Sequence, residues 1–233
     1  MDRRGFIHLG AAGLAGFLAA CNSSGPGAAK PLLKLAERGN EQLERALFRH
    51  TSMDVPPRVP LVGRGMPSYY ISDTVPVWNT AARGVWTLEV GGLVRRPLRL
   101  TLDQLMKLPW VTQRQDHFCV EGWNAVSTWT GVRVSELARL AQVTPDAAYV
   151  DFQSFDSDYH ESWDLASALH PQTLVAYGRE GHYLGAAWGA PARLHSPVKL
   201  GYKNVKYLTR IMFLPHRNGG YWSDQGYEWY AGT

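Results

Sequence analysis

The fold class this sequence predicts is α+β. Runs that alternate apolar and polar residues, the period of a strand with one buried face, are interleaved with short stretches of helical period. Gly and Pro punctuate most of the junctions between them. Hydrophobic residues make up 45% and charged residues 19% of the 233, so the chain can bury one ordinary core and lacks the composition of a disordered polypeptide.

Residues 1–21 read as an export signal. Arg3-Arg4-Gly5-Phe6-Ile7 is twin-arginine-like, and the apolar run from Leu9 to Ala20 is short for a membrane span. Leu18-Ala19-Ala20-Cys21 resembles a lipobox, with cleavage before Cys21 and lipid on its thiol; an ordinary export signal with an incidental cysteine is the plain alternative. Residues 22–52 are expected to form a tether and an N-terminal helical segment. Asn22–Ala29 is rich in Ser, Gly and Pro. Leu32, Leu35, Ala36, Leu43, Ala46 and Leu47 then mark one or two helical pieces interrupted near Gly39-Asn40.

The domain proper is expected over 53–233. Val55–Pro60 carries three prolines and reads as extended, and Met66–Pro76 is aromatic and turn-rich, with Tyr69 and Tyr70 read first as core residues. Val85–Val90 alternates as a strand, with Gly91-Gly92 as its turn. Thr101 and Gln104 have capping-box spacing, which predicts a short helix ending near Leu108 before Pro109. Ser135–Ala141 predicts a helix with Leu137, Leu140 and Ala141 inward. Ala148–Phe155 predicts a strand, Trp163–His170 a helix stopped by Pro171, Thr173–Tyr177 a strand, and Gly178–Gly181 a hairpin-type turn. The chain shows no internal repeat and no Gly-rich phosphate loop of the P-loop or Rossmann kind.

The formal net charge is +4 with basic residues scattered, which argues against a nucleic-acid partner. Nine tryptophans suit either aromatic-lined pockets or a Trp-rich core. The two cysteines are Cys21 and Cys119. If Cys21 carries lipid, Cys119 has no disulfide partner and must be buried or ligated. A cysteine-only zinc site is excluded, because no second cysteine lies nearby. On its own residues Cys119 remains open to three readings: a buried apolar thiol, a nucleophile that needs a base, or a soft metal ligand.

A second stretch carries charge among Gly and Pro. Gly189-Ala190-Pro191-Ala192-Arg193 is followed by Pro197 and then Gly201-Tyr202-Lys203-Asn204-Val205-Lys206. With Arg193, Lys199, Lys203 and Lys206, it reads as a preformed anion site in which glycines let backbone N–H groups approach and the cations supply charge. A solvated basic hairpin is the plain alternative.

Both stretches resemble one family. Cys119-Val120-Glu121-x-Trp123-x-x-Val126-x-x-Trp129-x-Gly131 is similar to the cysteine segment of the sulfite-oxidase superfamily of molybdopterin-dependent oxidoreductases. It is most similar to the branch of catalytic subunits of periplasmic protein-methionine-sulfoxide reductases and their short haem-free relatives. The Gly-Ala-Pro-x-Arg and lysine-containing pair follows about 70 residues later, in the family's order, and the resemblance covers roughly residues 60–214. It implies a sulfite-oxidase-type molybdopterin-binding domain with mixed β-sheets and peripheral helices. It implies molybdenum-molybdopterin as cofactor, Cys119 as metal ligand and catalytic residue, and Ser154, Arg193, Asn204, Val205 and Lys206 as cofactor-binding residues. Trp188 departs from the Asn or His that relatives carry before Gly189.

The resemblance also implies two-electron oxygen-atom transfer. Sulfite oxidases place an arginine shortly after the cysteine, whereas here no arginine follows until Arg133, and Glu121 adds negative charge. Sulfoxide reduction on a small or protein-bound methionine-sulfoxide-type substrate is therefore expected, with His117, Trp123 and Trp129 as possible lining groups. Arg64 and Arg114 are the cations that could enter the pocket and reverse this. No Cys-x-x-Cys-His haem motif is present, so electrons are expected from a membrane haem or quinone-linked protein, beside an enzyme lipid-anchored through Cys21 at the periplasmic or outer face of the membrane. Sulfite-dehydrogenase-like oxidation, or a cofactor-free binding module with the same fold, are the alternatives.

Overall fold

The computed structural model describes residues 30–47, 52–56 and 66–233. The leader, the tether Asn22–Ala29, and Arg64 lie outside the described residues. The chain divides into two compact units near residue 46. The described part of the first is an α-helix, Lys30–Leu47, which runs through Gly39 and Asn40 without the interruption expected there.

Among the described residues the second unit holds ten strands: β1 (Thr87–Gly92), β2 (Leu98–Thr101), β3 (Trp110–Phe118), β4 (Asn124–Arg133), β5 (Tyr149–Ser154), β6 (His160–Asp164), β7 (Leu174–Arg179), β8 (His182–Tyr183), β9 (Arg193–His195) and β10 (Leu208–Leu214). One sheet has the order β2-β1-β10-β5-β6. It is mixed, because β1 and β10 run parallel while the other neighbours are antiparallel. The other sheet, β3-β4-β7-β8 with β9 also on β7, is antiparallel. Short helices sit at the periphery.

The capping box at Thr101 is formed: its hydroxyl accepts from Gln104 N while Gln104 Oε1 accepts from Thr101 N, and this starts helix Leu102–Met106. Helix Val134–Ala141 buries Val134, Leu137, Ala138 and Ala141. The helix expected over Trp163–His170 is replaced by β6 and then a single turn, Leu165–Ala168, capped by Asp164. Trp163 pairs with Val150 across the sheet and meets Phe152 edge-on at 5.4 Å, so sheet burial decides its conformation over local helical period. The expected Gly91-Gly92 turn comes later, since β1 extends to Gly92 opposite Phe213.

The second sheet has apolar clusters on both faces. Along β7, Val175 and Tyr177 join the main core with Leu88, Val150, Phe152 and Ile211, while Leu174 and Ala176 join a smaller cluster with Trp129 and Met66. The alternation is the period of a strand buried on both sides. Gly131 lies where the β4–β7 register shifts, and a Cβ there would sit 2.2 Å from the Val175 carbonyl oxygen. Close backbone approach at this bulge explains the glycine of the cysteine motif.

Candidate active site

A cavity of about 350 Å³ opens where strand ends of the two sheets converge. Cys119 lies in the loop that joins β3 to β4. The loop is closed by Cys119 N donating to Trp123 O at 2.8 Å and Gly122 N to Cys119 O at 3.0 Å, with Gly122 at φ +83°. Ser154 comes from the end of β5, Arg193 from the start of β9, and Asn204 and Lys206 from the β9–β10 connection. All five line the cavity with His117, Glu121 and Trp123.

Burial pushes the Cys119 thiol above its ordinary pKa, and the Glu121 carboxylate adds to the rise. Among the described residues the side chain bonded to the thiol is Glu121, whose Oε2 is 3.9 Å away and already accepts from Trp123 Nε1 at 2.9 Å and Tyr69 OH at 3.0 Å. A coordinated metal deprotonates a thiol outright, so the donor chemistry suits a ligand better than a free nucleophile.

The cations divide into two kinds. Lys199 is buried 3.0 Å from Asp164 and donates to Tyr230 O at 2.7 Å; Lys203 is buried 2.6 Å from Glu161. Their charges are neutralised inside the fold, so the expected four-cation anion site is corrected to two. Arg193 and Lys206 are the arginine and the lysine among the lining residues. Arg193 is 2% exposed and donates only to carbonyls, those of Leu194, Trp188 and Asn204, at 3.2–3.3 Å. Lys206 Nζ donates to Ser68 Oγ at 3.1 Å and Ala187 O at 3.0 Å. With no carboxylate in contact among the described residues, burial draws Arg193 down to about 9; burial and then Arg193 draw Lys206 down to about 7. Gly189 brings the two together, since a Cβ on it would lie 3.0 Å from Lys206 Cβ and 3.1 Å from Arg193 Cβ.

His117 belongs to an aromatic column. Its ring is 5.9 Å from Trp123 and 5.5 Å from His195, and His195 stacks on Trp129 at 4.1 Å. Burial, then the charges of Arg193, Lys206 and Arg179, lower His117 to about 3, so the ring is neutral at ordinary pH. Gly201 makes room for it, because a Cβ there would meet His117 Nε2 at 2.7 Å.

Other expectations are corrected. Trp129 is fully buried under His195 and does not line the cavity. Val205 is fully buried in the main core and is not a lining residue. Asn204 lines the cavity, but its side chain holds the loop, accepting from Ser196 N at 2.7 Å and donating to Lys199 O and Leu200 O at 3.1 Å. Arg114 donates to Pro56 O and is not a lining residue. Trp188 turns its ring to Arg179, 4.1 Å from the guanidinium.

Sequence reasoning missed Asp156, Tyr159 and Tyr207. Asp156 accepts from Ile71 N at 2.8 Å and Ser72 N at 3.0 Å, which ties the 66–76 segment to the β5–β6 turn and places Tyr69 and Tyr70 on the cavity rather than in the core. An Asp two residues past Ser154, in a turn, was the available signal. Tyr207 has no sequence signature; its hydroxyl is buried without a partner, as is His117 Nδ1. Two under-neutralised cations, two orphaned polar atoms and a partly exposed thiol around one cavity fit a phosphate-bearing, metal-binding group.

Residues 74–222 match the family described as an oxidoreductase molybdopterin binding domain. Over 166 residues the chain is 44% identical to a chain of Azospira oryzae provisionally named protein-methionine-sulfoxide reductase subunit YedZ1, covering 71% of this chain and 62% of that one. It is 36% identical over 155 residues to the protein-methionine-sulfoxide reductase catalytic subunit MsrP of Gluconobacter oxydans, covering 59% of this chain and 50% of that one. The chain thus spans about half to three-fifths of the length of these relatives. Among solved structures, the sulfane dehydrogenase SoxCD of Paracoccus pantotrophus superposes with a TM-score of 0.54 at 22% identity, over 57% of this chain and 39% of that one, a likeness of fold.

Proposed function

Because the chain belongs to the oxidoreductase molybdopterin-binding domain family, we propose that it reduces sulfoxides of the methionine-sulfoxide type, with Cys119 as the molybdenum ligand. The observation that carries the reading is the lining of the cavity: beyond Arg193 and Lys206 its walls are largely aromatic, with Tyr69, Tyr70, Trp123, Tyr202, Trp222 and Tyr227 among them. Those two cations match the phosphate of the cofactor, which leaves no arginine cluster among the described lining residues for a small dianion such as sulfite. A neutral sulfoxide is served by an apolar pocket with few polar groups.

In this reading Arg193 and Lys206 hold the molybdopterin phosphate, with the backbone of Asn204 and Val205 and the hydroxyl of Ser154 beside it. Cys119 supplies the protein's thiolate to the metal, where a soft donor is favoured. The bound cofactor supplies two-electron oxygen-atom transfer, and the protein orients it and excludes water. Two electrons and two protons convert the sulfoxide to a thioether and water. The electrons come from a membrane haem or quinone-linked protein. Residues 1–21 direct export with lipidation at Cys21, which holds residues 53–233 at the outer face of the membrane. The names of the relatives, which are methionine-sulfoxide reductase subunits, support the substrate class.

The test supplies the purified holoprotein with an artificial electron donor and methionine sulfoxide, and separately with sulfite and an artificial acceptor. Sulfoxide reduction is expected. Efficient sulfite oxidation with negligible sulfoxide reduction would overturn the reading, and absence of molybdenum would point instead to a cofactor-free binding module.

A further inference from the structure

The cavity is closed on one side by residues at and beyond the end of the family match. Trp222 is its last matched residue and Tyr227 lies past it, yet both line the cavity. Their rings are 5.0 Å apart, and Tyr227 meets Tyr202 edge-on at 5.3 Å. Tyr202 in turn donates its hydroxyl to the Glu228 carbonyl and accepts at its own carbonyl from Tyr159 OH.

The C-terminal segment that carries these rings is clasped, not draped. Buried Glu161 accepts from Trp222 N at 2.9 Å and Ser223 Oγ at 3.0 Å, while holding Lys203 at 2.6 Å. Gly220 passes so close that a Cβ would lie 2.1 Å from Glu161 Oε2. Further along, Lys199 Nζ donates to Tyr230 O at 2.7 Å and Leu200 N to Ala231 O at 3.0 Å. The two lysines that the anion site does not use therefore fix this wall. They do so from the segment that also presents Gly201, Tyr202 and Asn204 to the cavity.

We propose that the clasped C-terminal segment is the specificity wall of this site: Trp222 and Tyr227 admit a sulfoxide with slim alkyl groups on sulfur, such as a methionine-sulfoxide side chain, and exclude one with a bulky aryl group. The proposal rests on the sulfoxide reading above. Its reason is packing: a buried ion pair and several hydrogen bonds fix the backbone that carries the rings, and the rings pack on one another and on Tyr202, so the wall discriminates by volume. Trp222 is half-buried and Tyr227 exposed, so shortening either one leaves the core intact.

The experiment compares wild type with Trp222→Ala and Tyr227→Ala as molybdenum-loaded full-length proteins of equal metal content. Methionine sulfoxide and a methyl aryl sulfoxide are the substrates, and the matching aryl sulfone is the unreactive ligand for calorimetry. The expected result is a rise of about tenfold in the ratio of kcat/KM for the aryl substrate to kcat/KM for methionine sulfoxide, carried by the aryl KM. If wild type reduces sulfoxides and the variants keep its discrimination, the wall proposal is overturned and the sulfoxide reading stands. If wild type reduces no sulfoxide, that reading fails, and the sulfone decides the wall: tighter binding by the variants supports it, and unchanged or undetectable binding overturns it.

Discussion

Lys206 gives the sharpest test of the anion site. Burial, reinforced by Arg193 and only partly offset by Asp156, holds its ammonium at about 7, against 10.5 for an ordinary lysine. A dianion bound against Lys206 and Arg193 favours the charged form, so binding by the cofactor-free chain must take up a proton wherever Lys206 is neutral. We predict that affinity for sulfate, a dianion throughout, falls about tenfold between pH 6 and pH 8, following the protonated fraction of a group titrating near 7. His117, held near 3, and Arg193, held near 9, do not change charge in that window. Calorimetry in two buffers of different ionisation enthalpy would report the proton directly, and Lys206→Met should bind more weakly with a flat pH profile. The linked effect on stability has a definite sign. Between about 7 and 10.5 the unfolded lysine keeps a proton that the folded one has lost, so the cofactor-free fold gains stability as pH rises through that window. An affinity that is constant from pH 6 to pH 8, or one whose pH dependence survives Lys206→Met, would refute the argument.

Three further predictions follow from the same geometry. Cys119→Ser should lose the molybdenum or leave it inactive while keeping the far-UV circular dichroism of the apo-protein, because the thiol sits in a loop; an unchanged metal spectrum together with unchanged turnover would remove Cys119 as ligand. Gly131→Ala should destabilise by about 1–3 kcal/mol in urea unfolding, since its Cβ would meet the Val175 carbonyl at 2.2 Å; an unchanged midpoint would mean the bulge can relax. Lys203→Met leaves Glu161 buried without its cation and should cost about 3–5 kcal/mol, against little effect if Lys203 served as a surface anion ligand.

What the sequence determined by itself was local or motif-borne. The alternation in Val85–Val90 and Ala148–Phe155, the Thr101 capping box and the helix ending at Ala141 are short-range signals, and all are formed within a residue or two. The spacing around Cys119 and the pair of basic motifs identified the family, and Arg193 and Lys206 do meet Cys119 around one cavity. Tertiary structure alone decided which charges the cavity keeps. In sequence Lys199, Lys203 and Lys206 look equivalent. Asp164 and Glu161 on β6 neutralise the first two, while the third meets only a hydroxyl and a carbonyl among the described residues. The same long-range pairing converted an expected helix at Trp163 into strand, buried Trp129 beneath His195, and drew Tyr69 and Tyr70 to the cavity through Asp156. A carboxylate or a neighbouring strand from elsewhere in the chain outweighs local preference because burying an unpaired charge or polar group costs more than the modest differences in propensity that a sequence pattern reports.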